Sequence, residues 1–350
     1  MAHYGRSKAF RVKVYNLLTH FIQTTDYPEV VNENHPLWSI LMGLEHDRIH
    51  IETSSMLIRQ YPVDWVTRPE GWKYAPTYFE APENDWLSVP ATEVKLGKPD
   101  DFPTFGWDNE YGSLPLSVKE FEASRSLITN AEFEEFVKAG GYTQEGLWTE
   151  EGWTWRSKFE VTHPKFWVPE GGSFRCRAMF DELAMPLSWP AEVNRHEAEA
   201  YCTWQGARLL TEGEFQAITQ TATHQPFDVP YSDHFNVNLK YGSSTPVGLL
   251  PEATSHLGFN DAYGNVWCWL SNDFSPLPGY EAHAYTTWTF QSLTWIQSTR
   301  RCAAVPGPVQ KPALQNSTDY DSEDIFTSTP AFAVKDHIDV SSGTYYELIS

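Results

Sequence analysis

The 350-residue chain carries 46 acidic against 25 basic side chains, a formal charge of -21 at pH 7. So acidic a surface repels phosphate backbones and anionic lipids, so neither nucleic acid nor a membrane is expected as a partner. No run of roughly 18 apolar residues is available to span a bilayer, Met1 to Lys13 lacks the apolar segment of a secretion signal, and Cys176, Cys202, Cys268 and Cys302 form no CxxC pair, so a reducing cytoplasm is the expected compartment.

Residues 1 to 62 read as helical. Val14, Leu17, Leu18 and Phe21 recur at helical spacing between Phe10 and Ile22. Breakers Pro28, Asn32, Asn34 and Pro36 follow, and a long helix is predicted from about Leu37 to Gln60, ending before Pro62. On its wheel Leu37, Ile40, Leu41, Leu44 and Ile51 form one apolar stripe, the expected core face. His46 and His50 lie elsewhere, ~40° apart, beside Ser39, Gly43 and Thr53. That is the spacing at which two imidazoles hold one metal ion. Glu52 falls ~200° from His50 and cannot share an ion with both histidines on a regular helix; a role behind the ligands or in packing suits it. Two other readings stay open: an ordinary exposed His pair, or an HExxH-type zinc site. The second is disfavoured because Asp47 stands where that motif has Glu.

Residues 63–103, rich in Pro, Trp and Glu, read as a linker or wrapping segment without clear periodicity. From about residue 104 short strand-like runs alternate with two short helices, Asn130 to Ala139 and Arg195 to Gln205, amid many Gly, Pro and Trp. Most of those aromatics are expected to pack a loop-rich core. Asn130 is expected to cap its helix. Arg156 and Arg208 could grip a substrate carboxylate, with ordinary salt bridges as the simpler reading. Residues 286–350, rich in Ser, Thr and Pro, show no pattern that compels a fold, and read as a divergent, disordered tail.

The stretch from His35 to Gln60, with its core Leu44-Glu-His-Asp-Arg-Ile-His-Ile-Glu52, resembles the metal helix of the 5-histidylcysteine sulfoxide synthases of ovothiol biosynthesis. These are relatives of the ergothioneine sulfoxide synthases. The family's HxxxHxE motif falls on His46, His50 and Glu52. Phe105-Gly-Trp-Asp-Asn-Glu-Tyr-Gly112, Thr129-Asn-Ala-Glu-Phe133, Trp148-Thr-Glu-Glu-Gly-Trp153, Ala207-Arg-Leu-Leu-Thr-Glu212 and Gly264-Asn-Val-Trp-Cys-Trp269 resemble successive motifs of its formylglycine-generating-enzyme-like domain.

The resemblance implies an α+β chain: the end of a DinB-like helical bundle at 1–62, then an incomplete formylglycine-generating-enzyme-like (sulfatase-modifying-factor, C-type-lectin-like) domain at 104–285. It implies a non-heme Fe(II) held by histidines, cysteine, histidine and O2 as substrates, and a carbon–sulfur bond as the product. A tyrosine assisting proton or electron transfer would fall on Tyr285. Family members carry a third histidine ligand upstream of the pair. His20 and His35 are the candidates in this chain. The end of the family domain has no counterpart in 286–350, and the chain reads as altered at both ends. A catalytically inactive relative, acting at most as a binding module, is therefore the competing expectation.

Overall fold

A computed structural model describes residues 2–26, 28, 31–32, 34–100, 106–219, 234–237, 240–262, 264–273, 275–281, 300–303 and 333–336, excepting the side chains of 2–6, 48–49, 52–53, 300–303 and 333–336. Two long helices lead: α1 (Ala2–Thr24) and α2 (Trp38–Arg59). The predicted helices over 10–22 and 37–60 thus form, with α1 extending further toward the start of the chain.

The rest is a mixed helix-and-sheet domain. Strands β1 (Trp86–Val89) and β2 (Thr92–Leu96) come from the stretch that shows no periodicity in the sequence, and β3 (Leu114–Val118) and β4 (Phe121–Ser124) follow. β1 pairs with β4 and β2 with β3, both antiparallel. Only five residues or fewer fall in each strand, too few for an alternating pattern to stand out among the prolines. Next come α3 (Asn130–Lys138), α4 (Glu150–Lys158), β5 (Trp167–Glu170), β6 (Ser173–Arg177), β7 (Glu182–Ala184), α5 (Arg195–Trp204), β8 (Arg208–Leu209), α6 (Glu212–Thr219) and β9 (Cys268–Asp273). Residues 286–350, with no fold expected from their sequence, supply β10 (Arg300–Ala303) beside β9 and β11 (Ala333–Asp336) between β4 and β8. Main-chain hydrogen bonds from open strand edges recruit such segments with little demand on side-chain pattern.

Local chemistry sets the short helices. Thr129 caps α3 and exchanges hydrogen bonds with Glu132, and Asn194 does the same with Glu197 at α5. Asn130 is therefore not the cap. Its amide donates to the Pro186 carbonyl at 3.0 Å, tying α3 to a distant loop, because Thr129 holds the extended backbone that a cap requires. The turn after α3 needs glycine twice: Gly140 sits at φ +75°, and a Cβ on Gly141 would enter the Phe136 ring.

The core is aromatic, as expected. Phe133 lies 5.3 Å from Phe136, 5.3 Å from Tyr201 in a stacked arrangement and 6.2 Å from Trp167. Leu127, Ala191, Ala198, Leu210, Ile218 and Leu270 fill around them. Each large side chain so buried contributes about 1.5–3 kcal/mol. A polar knot closes the 236–265 loops. Asn265 accepts from the Thr245 amide at 2.7 Å and from the Asn236 side chain at 3.2 Å, while Asp261 accepts from the Gly248 amide at 2.8 Å. Burial drives the Asp261 carboxyl up to about 6 despite those donors.

Candidate metal-binding helix and its dock

α2 forms because its Leu- and Ile-rich stretch contains neither Pro nor an internal turn signal, and it stops before Pro62. His46 and His50 are successive on one side of it, their rings 4.4 Å apart and nearly perpendicular, at 88°. His46 is half-buried. Burial first, then the adjacent His50, lowers its pKa, with Asp47 opposing. The neutral imidazole that a metal needs is thereby favoured near neutral pH. One turn earlier Gly43 is exposed, and among the described residues a Cβ there would touch nothing within 4 Å.

The pair supplies two donors. Among the described residues no group of three or more His, Cys, Asp or Glu side chains is placed to hold a metal ion. His20 is exposed on α1. His35 accepts from the Leu37 amide at 3.2 Å through Nδ1, at the start of α2. Neither joins the pair. The side chain of Glu52 and the whole of Tyr285 lie outside the described residues.

The face that α2 turns to the domain differs from the expected core stripe. Leu37 is buried and Ile40 and Leu41 pack beside it, but Leu44 is 56% exposed and Ile51 49% exposed. The covered side instead carries Trp38, Glu45 and Met56. An apolar stripe is buried only where another element lies against it, and here the domain meets the flank ~90° away. His46 and His50 are half-buried and lie ~80° and ~120° around the helix from the covered flank.

Two attachments hold that flank, with a buried carboxylate between them. At the start of α2 the Trp38 indole donates to the Gly106 carbonyl at 3.2 Å, amid Val31, Leu37 and Trp107. At its centre Glu45, immediately before His46, is buried and its charge acts on Lys98. Burial lowers the Lys98 pKa, with Glu110 and Glu45 opposing. At its end Arg59 lies under both oxygens of Glu192, at 2.7 and 2.6 Å, donates from Nε to the Arg177 carbonyl at 2.7 Å, and stacks 3.6 Å over Phe166.

These docking residues escape the sequence reading. Arg59 shows there only as a basic residue suited to a helix C-terminus, and no local signal points across 133 positions to Glu192. Arg208 does form the ordinary salt bridge, to both oxygens of Glu214 at 2.9 and 2.7 Å. Burial would raise Glu214, but Arg208 and Thr211 overcome it and hold that carboxyl below its usual range. Arg156 forms no ion pair among the described residues. It lies 5.3 Å over Trp153, and its buried Nε has no acceptor among the described residues.

Among the described residues no helix is long and apolar enough to cross a membrane. The chain is similar to hercynine oxygenase of Mycobacterium tuberculosis, 33% identical over 188 residues, 51% of this chain and 44% of that protein. It is similar to ergothioneine biosynthesis protein 1 of Schizosaccharomyces pombe, 25% identical over 55% of this chain and 26% of that protein. Formylglycine-generating enzyme of Bos taurus is 26% identical over 55% of this chain and 59% of that protein. The chain thus spans less than half the length of the two biosynthetic relatives. Residues 74–304, which take in both of the early strand pairs and the aromatic core, match the sulfatase-modifying factor enzyme 1-like domain, and the chain belongs to that family.

Proposed function

We propose that this chain is a sulfoxide synthase of the ergothioneine and ovothiol type, joining the sulfur of cysteine to a histidine imidazole with consumption of dioxygen. The observation that carries the reading is the His46–His50 pair, rings 4.4 Å apart on a helix docked to a domain whose sequence is similar to hercynine oxygenase. The net change balances as cysteine thiol plus imidazole C–H plus O2 giving the sulfoxide and one water: the C–S bond replaces an S–H and a C–H, one oxygen goes to sulfur, and the other leaves with both hydrogens.

Two neutral imidazoles suit Fe(II) and would fill two of its positions, with further donors required from outside the described residues. When bound, ferrous iron supplies the electron transfer that lets dioxygen oxidise a thiol. The residues of this chain do the rest. His46 and His50 would hold the ion, and α2 would carry both on one side of the helix beside the exposed Gly43. Glu52 is proposed to steady the ligands from behind, and Tyr285 to hand on a proton or electron. Residues 1–62 are read as part of a DinB-like bundle, with the catalytic domain following. A cytoplasmic setting is proposed for the chain.

The test is anaerobic Fe(II) titration, then exposure to oxygen with cysteine and either histidine or hercynine, the substrate that the relatives' name carries. One iron per chain, lost in the His46→Ala/His50→Ala double variant, and a sulfoxide product by mass spectrometry are expected. With two metal donors grouped among the described residues, the competing reading is a catalytically inactive relative; absence of both iron and product would establish it instead.

A further inference from the structure

Resting on that reading, we infer that Arg59 is a positioning residue: it locks the rotation of α2 about its own axis, and so sets where the His46–His50 pair stands relative to the domain that must receive the thiol substrate.

The geometry is a clasp rather than a lone surface pair. The Arg59 side chain is 11% exposed. Its Nη1 meets both Glu192 oxygens, its Nε reaches the Arg177 carbonyl, and its plane lies on Phe166. Arg177 closes the clasp from the other side. Its Nη2 donates to the Tyr61 carbonyl at 3.2 Å, two residues beyond the end of α2, and its Nη1 donates to the Ala178 carbonyl at 2.5 Å. The chain leaving the helix is gripped along with the helix itself.

Rotation is what this arrangement resists. Trp38, Glu45, Met56 and Arg59 fall in one ~60° sector of α2, with His46 ~80° and His50 ~120° around the helix from its edge. An imidazole nitrogen stands ~6 Å from the helix axis, so a ~25° roll would carry it roughly 2.6 Å. Metal–ligand distances tolerate about 0.2 Å. A roll leaves the two imidazoles unchanged relative to each other, because both ride on the same helix. It changes their relation to everything the domain contributes. Arg59 should therefore govern capture of the thiol more than capture of the metal. A planar fork stacked on a ring is a task that lysine cannot reproduce.

The experiment loads the full chain with Co(II) anaerobically and titrates L-cysteine, following the thiolate-to-cobalt absorption band. In Arg59→Met, Co(II) affinity should stay within about twofold of the native protein, while cysteine affinity falls at least about tenfold, as expected of a ~1.4 kcal/mol loss. Arg59→Lys and Glu192→Gln should lose less, in that order, and they serve if Arg59→Met does not fold. A lower melting temperature with unchanged cysteine affinity in all three would reduce Arg59 to ordinary packing and overturn the inference alone. A native Co(II) protein that never binds cysteine would overturn the functional reading and this inference together.

Discussion

The aromatic core around Phe133 and the pair of leading helices use much the same residue types and reach opposite outcomes. In the domain, Phe133, Phe136 and Tyr201 are sealed by neighbours from α3, α5 and β5. In the helices, Phe10, Tyr15, Leu17, Leu44 and Ile51 stand exposed, and burial concentrates around Trp38. Hydrophobicity makes a residue suited to burial. Only an opposing surface buries it. The attachment of α2 shows the consequence: polar and mixed contacts such as Arg59–Glu192 and Trp38–Gly106 hold it, where the sequence suggests an oily stripe.

That contrast can be broken by substitution. The largest effect is expected from Phe133→Ala, which empties the centre of the core and should cost about 3–5 kcal/mol, read from denaturant unfolding. A loss below 1 kcal/mol would mean that the domain is loosely packed after all. Next is a pH effect from Asp261. Its pKa is raised from 3.8 to about 6, so the folded state binds this proton more tightly than the unfolded chain does. The associated stability is fully present below about pH 4 and is lost as pH rises through 6, by roughly 3 kcal/mol. Asp261→Asn should remove that slope, measured as the difference between native and variant melting across pH 4 to 7. An unchanged difference would show that the loop knot admits water.

Smaller effects test the helices. Trp38→Phe deletes the indole donor to Gly106 and should cost about 1 kcal/mol, seen as faster amide exchange in α2 with α3 unaffected. Equal loss in both would mean that helix and domain unfold as one unit. Leu44→Lys should change stability by less than about 0.5 kcal/mol. A drop of 2 kcal/mol would contradict the exposed position of this side chain and show the stripe to be covered.

Much of the molecule is legible before any coordinates. α2, α3 and α5 fall where periodicity and breakers place them, though Thr129 rather than Asn130 caps α3, and the capping pair Asn194/Glu197 can be read directly from Asn-Arg-His-Glu. The i, i+4 histidines are legible as a pair because a helix makes neighbours of residues four apart. Short strands fare worse. β8 has two residues and β11 is inserted between β4 and β8 from more than 100 positions away, so no window of sequence holds both partners. The third-ligand candidates also divide in space: His20 points from an exposed turn of α1, while His35 serves the start of α2.

From its amino acids alone this protein has long and short helices in known places, two imidazoles on one helical side, and an excess of negative charge. Those properties are local, set by hydrogen bonds and side-chain periods within a few residues. Which flank of α2 is covered, and that Trp38 and Arg59 do the holding, came only from the folded arrangement. Contacts that join positions 68 and 133 residues apart depend on where the whole domain puts its surface, and nothing in a helical wheel encodes what lies opposite.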